Sequence, residues 1–170
     1  AIAKYAVEAE TIQYKVLQYL LDRASSTEWG LKYGYRTIKD YQEFSQRVPV
    51  QTYEEIKGYV DRMRHGEKNI LWPGNVVWYA KSSGTTNDKS KFIPVSKEGL
   101  QTVHYAGGRD AVALYLQQNP KSRIFSGRTL ILGGSHAPNY NLKNSLVGDL
   151  SAILIENINP LVNLIRVPEK

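Results

Sequence analysis

Two short runs suited to β-strands, residues 75–81 (NVVWYAK) and 92–95 (FIPV), enclose the polar stretch SSGTTNDKSK. β-Branched and aromatic residues fit a pleated, half-buried surface, so this strand–loop–strand unit commits the chain to a sheet and to elements that cover it. Pro94 has no backbone N–H, which keeps the second run short or at an edge.

Upstream, the periodicity is helical. Tyr5, Ala9, Ile12, Val16, Leu17, Tyr19 and Leu20 recur at three- and four-residue spacing, which predicts an amphipathic helix from Ile2 to about Ala24. Residues 24–34 carry Ser, Thr and Gly as stop signals. A short helix, an extended Val48-Pro49-Val50 and a second helix follow. Thr52 and Glu55 have capping-box spacing, so the second helix runs from Tyr53 to about His65 and stops at Gly66.

Downstream of the hairpin, Ser96 caps a helix over 97–118 that Asn119-Pro120 closes, and residues 128–132 (RTLIL) make a third strand before Gly133-Gly134. Residues 139–145 read as polar loop. The apolar stretch 146–164 holds a helix starting at Asp149 or Ser151 and broken by Asn159-Pro160. The expectation is an α/β chain with few strands and flanking helices, organised as one domain: 1–72 mainly helical, 75–133 strand-loop-strand-helix-strand, 134–170 loop and apolar helix.

The net charge of +6 favours anionic partners, but Lys57, Arg62, Arg64 and Lys68 alternate with Glu54, Glu55, Asp61 and Glu67, the pattern of a solvated face rather than a nucleic-acid footprint. The tyrosines Tyr5, Tyr19, Tyr53 and Tyr59 sit at helix-core spacing and are read as packing residues, not base-stacking ones. Cysteine is absent, which excludes a disulfide framework, a thiolate nucleophile and a Cys-ligated zinc site. His65, His104 and His136 are too scattered for a metal site, and no stretch approaches the roughly 20 apolar residues of a membrane span. A cytoplasmic location is expected.

The loop carries the chemistry. Ser82, Ser83, Thr85 and Thr86 place four hydroxyls around the permissive backbone of Gly84, and Lys89 and Lys91 add two cations; all can face phosphate oxygens. It is not a P-loop, because the second glycine is missing and a strand follows rather than a helix. A merely polar hairpin remains the alternative, since Gly, Ser and Thr favour turns for backbone reasons. Ser135 in GGSHA lacks the closing glycine of a hydrolase nucleophile elbow.

The stretch AKSSGTTNDKSKFIPVS resembles the first ATP-binding motif of the adenylate-forming enzymes, in the variant of the auxin-responsive Gretchen Hagen family of acyl acid amido synthetases. RVPVQTYEEIKGYVDRM is similar to that family's upstream segment, and GGSHAPNYNLKNSLVGDLSAIL to the region that follows in bacterial members. Ser90-Lys91 stands where relatives outside the family have Pro-Lys. The resemblance implies the N-terminal part of an adenylate-forming core and a two-step ATP-dependent ligase. A carboxylic acid would form an acyl-adenylate, and an amino acid or other amine would then take the acyl group. Ser82, Ser83, Gly84, Thr85, Thr86, Lys89 and Lys91 would hold the ATP phosphates, with Mg²⁺ bridging them. Tyr105 and Arg109 would line part of the acyl pocket, and Ser135 and His136 are further candidates for substrate contact. The catalytic groups would lie beyond Lys170, making this chain an N-terminal fragment, inactive alone and self-associating through exposed apolar surface. An acyl-CoA synthetase-like ligase and a non-catalytic binding domain are the rival readings.

Overall fold

The computed structural model describes residues 2–82 and 90–168. The chain divides into two compact units, one of residues 1–77 with 142–145, the other of 78–141 with 146–170.

The first unit is helical. α1 (Ile2–Val7) and α2 (Ala9–Ala24) are separated by a break at Glu8. α2 buries Leu21 and Ala24 near its C-terminal end, and Gln18 donates to the Lys39 carbonyl at 2.7 Å. Tyr5 and Tyr19 stand half exposed, contrary to the core-packing expectation. The stretch read as a helix stop contains α3 (Glu28–Lys32). Thr27 caps it: its buried hydroxyl donates to the Ala24 carbonyl at 2.7 Å and accepts from the Gly30 N–H at 3.0 Å. The amides of Glu28 and Trp29 donate to the carbonyls of Asn69 and Ile70 at 2.8 and 3.0 Å, fixing α3 to a distant segment.

α4 (Tyr41–Arg47) is capped by Asp40, which accepts from the Glu43 N–H at 2.8 Å. α5 (Tyr53–Arg64) starts where the capping box places it, with the Glu55 carboxylate accepting from the Thr52 backbone N–H at 2.6 Å. It ends at His65, whose Nδ1 lies 2.8 Å from the Asp61 carbonyl, and at Gly66, whose φ of 96° is a left-handed stop. On the exposed face of α5, Arg62 forks onto both carboxylate oxygens of Glu28, at 3.0 and 2.8 Å, and also reaches Glu67.

The second unit carries the sheet. β1 (Trp78–Lys81) is central, antiparallel to β2 (Phe92–Val95) and parallel to β4 (Leu146–Gly148), and Tyr79 is fully buried. β2 is an edge strand, as Pro94 requires. β4 departs from expectation: the apolar stretch 146–164 opens as a strand before α8 (Leu150–Glu156) begins at Asp149. The third expected strand shrinks to β3 (Thr129–Leu130), which leaves the main sheet and pairs in parallel with β5 (Arg166–Val167).

The helix expected over 97–118 exists with a change of pitch. α6 (Lys97–Gly99), capped by Ser96 at 2.9 Å, runs into a π-helical segment (Leu100–Tyr105) and then α7 (Ala106–Gln118). π-Turns fit one extra residue into a helix and swing side chains off the regular face. Val95, Leu100 and Ile153 form the core beneath it, flanked by Trp78, Ala80, Tyr105 and Leu154.

Candidate functional site

The hairpin stem is in register up to its open end. Lys81 pairs with Phe92, and the next rung is the Ser82 N–H donating to the Lys91 carbonyl at 3.0 Å. Side chains alternate across a strand, so Ser82 and Lys91 face opposite to Lys81 and Phe92. The Lys81 ammonium sits 4.1 Å from the ring centroid of Tyr140, a cation–π contact. Of the phosphate-binding candidates, Ser82 and Lys91 are described; Ser83, Gly84, Thr85, Thr86 and Lys89 lie outside the described residues. Two cations, Lys81 and Lys91, thus flank the mouth of the loop.

Beside the π-segment lies a cavity of about 740 Å³. Tyr105, Val112, Phe125, Ile158 and Val162 supply apolar walls; Gln101, His104, Arg109 and Asn157 supply polar groups. It brings together Tyr105 and Arg109, named from the family resemblance, and adds His104. The Tyr105 hydroxyl donates to the Leu154 carbonyl at 2.7 Å, and burial raises its pKa. Tyr105 therefore offers the cavity a ring rather than a free hydroxyl. Arg109 is well exposed, 3.8 Å from the Asp110 carboxylate, so its charge is screened by water more than by that neighbour. A second cavity, about 300 Å³, is lined by Ala80, Ile93, Val95, Val103 and His104 among others. His104 lines both, placing the larger cavity next to the strands of the hairpin.

Ser135 and His136 lie apart from these lining residues. The amides of Gly134 and Ser135 are occupied by Ser151 Oγ at 2.7 Å and Asp149 Oδ2 at 2.9 Å, so the Gly-Gly-Ser turn spends its donors inside the fold. The His136 ring packs on Trp78, with centroids 5.8 Å apart. Among the described residues, no group of three His, Cys, Asp or Glu is placed to hold a metal ion, and no helix is long and apolar enough to cross a membrane.

Phe125, Asn157, Ile158 and Val162, from segments outside the helix over 97–118, carry no sequence signal as cavity residues.

A family model described as the GH3 family N-terminal domain matches residues 1–163. Among curated relatives, the chain is 36% identical over 91 residues to the indole-3-acetic acid-amido synthetase GH3.15 of Arabidopsis thaliana, covering 53% of this chain and 15% of that protein. It is 28% identical over 96 residues to the jasmonoyl--L-amino acid synthetase JAR4 of Nicotiana attenuata, covering 56% and 17%. A solved GH3.15 acyl acid amido synthetase superposes with a TM-score of 0.70 at 22% identity, over 92% of this chain and 28% of that one. The chain therefore spans about a sixth of the length of the curated relatives it matches and just over a quarter of the solved structure. The α/β arrangement with few strands and flanking helices is the one found in that structure's fold. The chain belongs to the GH3 family, of which it carries the N-terminal domain.

Proposed function

We propose that the protein containing this chain is an ATP-dependent acyl acid amido synthetase. The carrying observation is that one unit holds both a hairpin whose mouth is flanked by Lys81 and Lys91 and an adjoining apolar cavity with one arginine, with His104 in the walls shared between them. The relatives' names, indole-3-acetic acid-amido and jasmonoyl-amino acid synthetase, agree with this reading.

In it, Ser82, Lys91 and the hydroxyl-rich residues Ser83, Thr85 and Thr86, with Gly84 and Lys89, hold the phosphates of ATP. The carboxylate of an acyl acid lies toward Arg109 and its apolar body against Tyr105, Phe125 and Val162. A carboxylate oxygen bonds to the α-phosphorus as the bond to pyrophosphate breaks; an amine nitrogen then bonds to the acyl carbon, AMP leaves, and the amine gives up a proton. Bound Mg²⁺ would supply positive charge to neutralise the phosphates; among the described residues no group of three His, Cys, Asp or Glu is placed to hold it. Ser135 and His136, at the β4 edge where His136 bridges to Gly148, are further candidates for substrate contact.

Full-length protein incubated with ATP, a panel of aryl and alkyl carboxylic acids and amino acids tests the proposal. It predicts AMP, pyrophosphate and amide in equal amounts. Release of ADP and phosphate, or AMP formation indifferent to the acid, overturns it.

A further inference from the structure

We infer that Tyr140 is a positioning residue that fixes the stem of the phosphate-binding hairpin and thereby sets its affinity for ATP. The inference rests on the proposed role of the hairpin, but its geometry stands on described residues alone.

Lys81 and Phe92 are directly opposite each other in the β1–β2 register, so their side chains share a face of the sheet. Tyr140, from the 3₁₀ turn Pro138–Tyr140, covers both. Its ring lies 4.1 Å from the Lys81 ammonium and 5.8 Å from the Phe92 ring centroid, tilted by 54°. One aromatic side chain thus bridges the last paired residues of the two strands. The rung beyond them, Ser82 N–H to Lys91 carbonyl at 3.0 Å, is the point from which the loop departs.

A two-stranded ribbon end with Pro94 on one strand is prone to fray, since the edge strand has few ladder bonds to lose. Tyr140 opposes that fraying from outside the ladder. The 3₁₀ turn is itself anchored: the Ala137 N–H donates to the Val147 carbonyl at 2.9 Å, and the Asn141 carboxamide oxygen accepts from the Val147 N–H at 2.8 Å. Tyr140 is therefore held to β4, which pairs with β1, and presses on the β1–β2 end. The same contact keeps the Lys81 ammonium on a ring face on one side of the sheet, leaving Lys91 as the stem cation on the other.

The test compares Tyr140→Ala and Tyr140→Phe in the full-length protein. Hydrogen exchange of the amides in residues 79–82 and 91–95 reads the stem without any ligand. Exchange should quicken in Tyr140→Ala and stay near wild type in Tyr140→Phe, which keeps the ring. With ATP, Tyr140→Ala should raise the KM for ATP about tenfold, with kcat and the acid KM within about twofold, and Tyr140→Phe should restore it. Unchanged exchange in Tyr140→Ala overturns the inference whatever the protein binds. Quickened exchange with an unchanged KM for ATP overturns the link to affinity, as does a uniform loss in kcat and both KM values. If wild type shows no ATP binding by calorimetry, the reading of the hairpin fails and takes the affinity claim with it, while the exchange result still decides the clamp.

Discussion

The hydroxyl of Tyr105 donates to the backbone carbonyl of Leu154 at 2.7 Å, tying the π-helical segment to the last turn of α8 along one wall of the large cavity. This bond holds the two helices that shape the cavity against each other. Tyr105→Phe removes it and should lower stability by about 1 kcal/mol, read from the denaturation midpoint, while leaving the acid KM near wild type. A large loss of acid affinity without loss of stability would instead show that the hydroxyl contacts substrate.

Gly30 and Gly58 give an opposed pair. A Cβ at Gly30 would run into the carbonyl of Ala24, whereas one at Gly58, in α5, meets nothing within 4 Å. Gly30→Ala should cost about 1–3 kcal/mol by overpacking. Gly58→Ala should gain roughly 0.5–1 kcal/mol, since alanine loses less backbone freedom in a helix. Denaturant midpoints of the two variants check both signs.

The Arg62 fork on Glu28 predicts an acid limb. Its hydrogen bonds, aided by the charges of Arg62 and Lys32, hold the Glu28 pKa below the usual carboxylate range. Its contribution is therefore present above the unfolded pKa of about 4.3 and lost as pH falls through the lower folded value. Wild type and Glu28→Gln should differ at neutral pH and draw progressively together as pH falls below the unfolded pKa of about 4.3. A difference that persists unchanged into acid would remove the ion pair from the account, as would one insensitive to salt.

Arg109 carries the carboxylate recognition in the proposed function. Arg109→Gln in the full-length protein should raise the KM for the acyl acid about tenfold and leave that for ATP unchanged. Steady-state kinetics with each substrate varied in turn separates the two.

The 170-residue chain exposes Leu130, Leu132, Leu161 and Leu164, at 66–83% of their full surface, around the small β3–β5 sheet and the turn before it. Leucines exposed to this degree and clustered along the sequence favour association. Sedimentation of the isolated chain should show concentration-dependent oligomers. A clean monomer at high concentration contradicts this.

Local rules carried far in the sequence. Thr52 and Glu55 located the start of α5, Pro94 placed β2 at an edge, and Ser96 marked the start of the helix beside the cavity, because each acts through its own backbone neighbours. What depended on distant partners was not legible. β4 is a strand only because β1 is there to pair with Leu146, Val147 and Gly148. Thr129 and Leu130 left the main sheet because Arg166 and Val167 came alongside. The face of α2 looked like core, yet most of it is uncovered, since amphipathic spacing identifies an apolar face without saying what meets it. In the cavity, Tyr105 and Arg109, candidates through the family resemblance alone, stand in one wall, whereas Phe125 and Ile158, from other segments, had no sequence signal.

The most direct measurement is acid-dependent pyrophosphate release from ATP by the full-length protein, wild type beside Lys91→Ala. The account predicts release with at least one class of carboxylic acid and a loss of about a hundredfold in the variant, whose stability should stay at wild type. Equal release by both proteins would contradict the role given to the hairpin, and no release with any acid from folded wild-type protein would contradict the ligase itself.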